Sequence, residues 1–222
     1  MERKFEFSTG EFYHLYNRGN NKATIFISDA DKNRFIKLLF ACNSDRPLIF
    51  KTIQSLTLDK IERGDTLIDI GAYCLMPNHF HLLIHEKKEG GASLFMQKLT
   101  TAYSMYLNKR YNRTGKPFEG TFRATHADTD EYLKYLFSYI HLNPVKLIDP
   151  EWKERGITDN NKARTHLAEY RHSSYLDYIH APRAETAILN REVFPEYFEA
   201  PQDLESHIND WLNYKNDEPF QG

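Results

Sequence analysis

Two nearly unbroken apolar runs, Leu67-Ile68-Asp69-Ile70-Gly71-Ala72-Tyr73-Cys74-Leu75-Met76 and His79-Phe80-His81-Leu82-Leu83-Ile84, are separated only by Pro77-Asn78. Runs this short and this apolar read as buried strands, and so brief a break joins them as an antiparallel hairpin. The rest of the chain has to supply the sheet and the layer that bury them.

Periodicity places the other elements around this hairpin. Phe12, His14 and Tyr16 alternate with Tyr13, Leu15 and Asn17, a period-two strand that the Arg18-Gly19-Asn20-Asn21 cluster ends. Ser28 followed by Asp31 resembles a helix start, and Phe35, Leu38, Leu39 and Cys42 recur at helical spacing, predicting a helix over about 29–43. Residues 44–65 are polar and mixed and define no element. Leu94, Phe95, Leu99, Ala102, Tyr103, Tyr106 and Leu107 predict a long amphipathic helix from Ala92 to about Arg113, closed by Thr114-Gly115-Lys116-Pro117. Phe118 to Ala124 reads as a further strand. Asp128 with Glu131 predicts the start of a helix that carries Tyr132, Tyr135, Phe137, Tyr139 and Ile140 and is stopped by Asn143-Pro144. The order strand, helix, strand, strand, helix, strand, helix is that of an α+β, ferredoxin-like sandwich, an antiparallel sheet with helices on one face. Residues 1–150 form this domain, and 151–222 read as a C-terminal helical extension ending in an acidic tail.

Composition narrows the class. With 41% apolar and 14% aromatic residues in 222, the chain can bury a core and is not a disordered tail. Its two cysteines, Cys42 and Cys74, are too few and too far apart for a disulfide framework or a CxxC metal site, which fits a reduced, cytoplasmic setting. The start, Met1-Glu2-Arg3-Lys4-Phe5, lacks the apolar run of a signal peptide, and no stretch of about 18 apolar residues exists to span a bilayer. A net charge of −2 hides an asymmetry: residues 185–222 hold nine Asp/Glu against two Lys/Arg, so the positive balance lies in the first 184 residues.

Two constellations carry chemistry. His79 and His81 lie two apart on a strand and so project from one face, roughly 7 Å apart by strand rise, while Phe80 between them anchors the opposite face. One divalent ion can sit between such a pair. His85 shares that face but lies roughly 13 Å farther along the strand, a bystander. Tyr135, Tyr139 and Asn143 fall at i, i+4 and i+8 on one helical face, putting a phenol and an amide oxygen on one stripe. Each pattern alone is more often structural: histidine pairs are commonly hydrogen-bonded surface groups, and aromatic stripes usually face a core.

A third feature is basic and aromatic. Lys109, Arg110, Arg113, Lys116 and Arg123 set five positive charges against Glu119, interleaved with Tyr106, Tyr111, Phe118 and Phe122. Cations that contact phosphates and rings that stack unpaired bases make a single-strand binding surface. Arg18 and Lys22 after the first strand add to it.

The segments Tyr13-His14-Leu15-Tyr16-Asn17-Arg18-Gly19, Met76-Pro77-Asn78-His79-Phe80-His81-Leu82-Leu83 and Tyr139-Ile140-His141-Leu142-Asn143-Pro144-Val145, in that order, resemble the single-tyrosine HUH transposases, and more narrowly the REP-associated tyrosine transposases. Phe118-Glu119-Gly120-Thr121-Phe122-Arg123-Ala124 and Tyr170-Arg171-His172-Ser173-Ser174-Tyr175 are similar to further elements of that family. The resemblance implies that His79 and His81 hold a metal, Mg²⁺ or Mn²⁺, that Tyr139 is the nucleophile with Tyr135 second, and that Asn143 is the third metal contact. Relatives often carry Gln at that position, so Asn143 is one methylene shorter. It further implies a metal-dependent endonuclease and strand transferase that forms a 5′-phosphotyrosine on single-stranded or hairpin DNA. A homodimer, in which an exchanged helix brings Tyr139 to a neighbour's histidines, stays open. So do two rivals: a non-catalytic, regulatory single-strand binder, and a metallohydrolase that uses water.

Overall fold

A computed structural model describes residues 6–179 and 183–195. The acidic tail therefore lies outside the described residues from 196 onward. The elements are β1 (Phe12–Arg18), α1 (Asp29–Cys42), the short α2 (Phe50–Ile53), β2 (Asp69–Met76), β3 (His79–His85), α3 (Gly91–Arg110), β4 (Arg123–His126) and α4 (Asp130–Leu142). The extension adds α5 (Trp152–Arg155), α6 (Asn160–Glu169) and α7 (Tyr175–Ile179). No helix among the described residues is long and apolar enough to cross a membrane.

The four strands form one antiparallel sheet in the order β2-β3-β1-β4, the ferredoxin-like arrangement expected. Tyr13, Leu15, Tyr73, Leu75, Phe80, Leu82 and Ile84 bury one face against Phe35, Leu38 and Leu39 of α1 and Phe95, Leu99 and Tyr103 of α3. The expectation that helices occupy one face needs a correction. Ala72, Cys74, Met76 and Leu83 point the other way and are covered by Leu133, Leu136, Phe137 and Ile140 of α4. All eight residues of β2 are buried, and a strand apolar on both faces demands cover on both.

β2 is also an edge strand, and its open rim is closed by the extension. Leu75 N–H donates to His172 O at 3.0 Å and Ser174 N–H to Tyr73 O at 2.9 Å, while the Tyr170 hydroxyl donates to Leu75 O. An unpaired rim invites association with other chains, and this segment removes it. At the bulge between Ile70 and Ala72, any Cβ on Gly71 would meet the Phe194 ring at 2.6 Å, so only glycine admits this ring.

Side chains explain where elements start and stop. Asp31 accepts from Ser28 N–H at 2.7 Å, closing the cap read at the start of α1. The same carboxylate accepts from the Tyr106 and Tyr111 hydroxyls, each at 2.7 Å. β2 begins at Asp69 rather than Leu67 because the Asn43 side chain satisfies the N–H groups of Leu67 and Ile68, at 2.9 and 3.1 Å. α4 is capped by Thr129, whose hydroxyl accepts from Tyr132 N–H, one residue later than the Asp128 start expected. The fourth strand also starts later than expected: Phe118 drops into the core and bridges only Gly19, and Gly120 turns the chain at φ +68 before pairing begins at Arg123.

Candidate active site

Sheet register assembles the site. Directly paired residues in antiparallel strands share a face. Pairing of Arg18 with His79, Tyr16 with His81 and His14 with Leu83 therefore sets Arg18, Tyr16 and His14 on the α4 side with both histidines. Pairing of Tyr16 with Arg123 brings β4 onto the same face. Phe80 points the opposite way, its ring 4.8 Å from that of Phe35. The end of β1 is locked to the hairpin by Gly19 N–H, which donates to Asn78 O at 2.7 Å; a Cβ on Gly19 would lie 2.0 Å from Ala23 O.

Each of the two histidines is fixed through Nδ1. His79 Nδ1 lies 2.7 Å from Asn78 Oδ1, and the Asn78 amide nitrogen donates to Lys22 O at 3.2 Å. That second bond sets the amide orientation, so His79 carries its proton on Nδ1 and keeps a lone pair on Nε2. His81 Nδ1 lies 2.8 Å from His14 Nε2, with the two rings stacked at 5.0 Å. His81 Nε2 is buried and has no hydrogen-bond partner among the described residues. A dry, unpaired ring nitrogen is costly unless it serves a purpose. In the tautomer where His81 donates Nδ1–H to His14, that orphaned atom is a lone pair facing the site. Orienting a ring through one nitrogen so that the other can ligate is the outer-shell pattern of metal-binding histidines.

Electrostatics keep these rings neutral, the form that ligates. Burial pulls His79 down to about 4, helped by the charges of Lys146, Lys153 and Arg18. Burial likewise brings His14 to about 3 and holds His81 well below its ordinary value. Among the described residues no group of three or more His, Cys, Asp and Glu forms a metal-holding cluster, and His14 is committed to His81. The donors at hand are the two imidazole nitrogens, His79 Nε2 and His81 Nε2. They fit a divalent ion that leaves positions for phosphate and water oxygens.

Tyr139 faces this pair from α4. Its ring meets His81 edge-on at 5.6 Å and His14 at 5.9 Å. Tyr135 stacks between Tyr132 and Tyr139, 5.9 Å from each. Burial raises the Tyr139 phenol, and the charge of Lys146 opposes that rise. Asn143, buried at the end of α4, donates its amide N–H to Tyr139 O at 2.8 Å, so Oδ1 is the side-chain atom left to meet a cation. Lys153 donates from Nζ to the Tyr139 hydroxyl at 3.0 Å.

The six basic residues divide. Arg18 and the exposed Arg123 lie on the histidine face, Arg18 in an ion pair with Glu119. Lys109, Arg110, Arg113 and Lys116 lie at and beyond the end of α3, the helix of the opposite layer. Arg110 is held by Asp31 at 3.3 Å. The aromatic half of the expected strand-binding surface is corrected: Phe118 is buried, Phe122, Tyr106 and Tyr111 pack against the core, and both hydroxyls serve Asp31. His85, expected as a bystander, is engaged through Nδ1 by Asp69 at 3.0 Å. Three side chains beside these residues were not singled out from the sequence: His14, Lys146 and Lys153. The alternation that set His14 beside Tyr16 was the available signal for the first; nothing in spacing marked the lysines.

The model of the family "Transposase IS200 like" matches residues 12–143. No curated protein matches the chain. Thirteen chains of solved structures match. One is a REP-associated tyrosine transposase bound to a REP hairpin, similar at a TM-score of 0.51 and 12% identity, over 81% of this chain and 84% of that one.

Proposed function

Because this chain belongs to the IS200-like transposase family, whose members are DNA-processing proteins, we propose that it is a metal-dependent single-strand DNA endonuclease and strand transferase acting at DNA hairpins through Tyr139. The observation that carries the reading is the Tyr139 ring set 5.6 Å from that of His81, whose Nε2 is buried without a partner among the described residues. Residues 1–150 make up the nuclease domain and 151–222 its extension. His79 and His81, with Asn143 through its amide oxygen, are the residues that hold Mg²⁺ or Mn²⁺. When bound, such an ion polarises the non-bridging oxygens of the scissile phosphate and offsets charge built up there, a contribution of several kcal/mol.

The remaining work belongs to the chain. Arg18 and Arg123 on the histidine face draw in the phosphates that flank the scissile one, and Lys109, Arg110, Arg113 and Lys116 extend the positive field along the end of α3. The Tyr139 hydroxyl attacks phosphorus and the 3′ oxygen leaves, giving a 5′-phosphotyrosine and a free 3′ hydroxyl. Phenolate is a good leaving group, so the energy of the broken bond is retained. A 3′ hydroxyl from another strand reverses the step without a nucleotide cofactor.

A non-catalytic, single-strand binding role is the rival, favoured by Asn143 being one methylene shorter than the Gln that relatives often carry at that position. One experiment separates them: the protein is mixed with a pool of labelled hairpin oligonucleotides and Mn²⁺ and resolved under denaturing conditions. An adduct that disappears with Tyr139→Phe and with chelator supports the transferase. Tight binding without adduct across the pool transfers the conclusion to the binder, and cleavage that survives Tyr139→Phe transfers it to a water-using hydrolase.

A further inference from the structure

Lys153 stands outside the family match, which ends at residue 143, yet its Nζ donates to the Tyr139 hydroxyl at 3.0 Å and lies 4.2 Å from the centre of the same ring. The lysine is set there by its neighbour. Trp152 is 2% exposed and packs with Leu142, Val145, Ala163 and Leu167, so the four-residue α5 is pinned against the end of α4. That anchor fixes the stem of Lys153, whose amine burial lowers below its ordinary value while the charge of Glu154 opposes the drop. An ammonium 3.0 Å from the Tyr139 hydroxyl is placed to offset negative charge that develops there.

The proposed reaction creates that charge on one atom. The Tyr139 oxygen must give up its proton to attack and becomes phenolate again when displaced. A buried oxygen resists becoming negative. We infer that Lys153 is a second catalytic residue of strand transfer, an ammonium that carries the negative charge of the Tyr139 oxygen as it attacks and as it leaves. This rests on Tyr139 being the nucleophile. In the cleavage step the Oη–P bond forms as the P–O3′ bond breaks, the phenol proton passes to water and the 3′ oxygen takes one from water. The reverse step restores both, so no co-reactant is consumed and Lys153 stays protonated throughout. The helical extension thereby completes a site that the family-matched segment only begins.

The test uses the full chain, Mn²⁺ and a cleavable hairpin oligonucleotide, and measures hairpin affinity and the single-turnover rate of adduct formation separately. Removing one preorganised charge-stabilising donor costs on the order of 100-fold in the chemical step. Lys153→Met is expected to slow adduct formation by about that factor with hairpin affinity unchanged, and Lys153→Arg, which keeps a charged donor, to recover most of the rate. Replacing Tyr139 by a more acidic fluorotyrosine should shrink the Lys153→Met defect, because less charge stabilisation is then needed; a purely structural lysine gives no such rescue. An adduct that depends on Tyr139 but forms as fast in Lys153→Met as in the parent overturns the lysine's role alone. An adduct that persists in Tyr139→Phe overturns the nucleophile, and the lysine's role with it.

Discussion

Replacing His14 with alanine removes the group that fixes His81. The hydrogen bond lost is the 2.8 Å contact from His14 Nε2 to His81 Nδ1, between two side chains that are each 6% exposed. Leaving a buried polar atom unpaired costs about 1–3 kcal/mol, and every 1.4 kcal/mol is about tenfold in an equilibrium constant. The His81 ring, free to turn, should therefore hold a divalent ion about 10- to 100-fold less tightly, the range found when outer-shell partners of metal ligands are removed. The assay is a Mn²⁺ titration of adduct formation at a saturating hairpin concentration. The half-saturating Mn²⁺ concentration should rise by that factor, the rate at saturating Mn²⁺ should largely recover, and hairpin binding in chelator should be unchanged. His14→Asn, which keeps an acceptor, should shift less than His14→Ala. An unaltered Mn²⁺ requirement in His14→Ala would refute the reasoning, because His81 would then need no help from β1.

Three further outcomes are expected. As pH falls from 7 toward 4 the thermal midpoint should drop, because the unfolded chain gains protons near 6.5 that the buried His14, His79 and His141, at about 3, 4 and 3, refuse in the native state; His141→Gln should make that decline shallower, and an identical slope would clear His141 of it. Arg123→Ala should weaken hairpin binding across sequences and lower the slope of log affinity against log salt by about one, a result read by fluorescence anisotropy at several salt concentrations; an unchanged slope takes Arg123 out of the interface. Asp31→Asn should cost about 3 kcal/mol in urea unfolding, since the carboxylate serves Ser28, Tyr106, Tyr111 and Arg110 together, while adduct formation by the folded protein stays near the parent's.

How much could be read beforehand follows from the range of each interaction. The β2–β3 hairpin, α1, α3 and α4 were legible because period two and period 3.6 are local signals, and His79, His81 and Tyr139 sat on them at fixed spacing. The placement of α4 was not, because periodicity shows that a helix has an apolar face without showing which side of a sheet receives it. Nor could spacing reveal that 172–174 would close the rim of β2, which depends on contacts about 100 residues apart in sequence. The basic-aromatic stretch misled for a related reason: Tyr106 and Tyr111 looked like stacking platforms, but a buried carboxylate far upstream, Asp31, claims both hydroxyls. His14 and Lys153 act only through partners on other elements, so register and packing had to be known before their roles could be seen.

The most direct measurement of the central claim is peptide mapping by mass spectrometry of the covalent species formed with a hairpin oligonucleotide and Mn²⁺. The expected result is a nucleotide joined through its 5′ phosphate to Tyr139, absent when the ion is chelated. Attachment at Tyr135 or elsewhere, or cleaved DNA with no modified peptide, would contradict it.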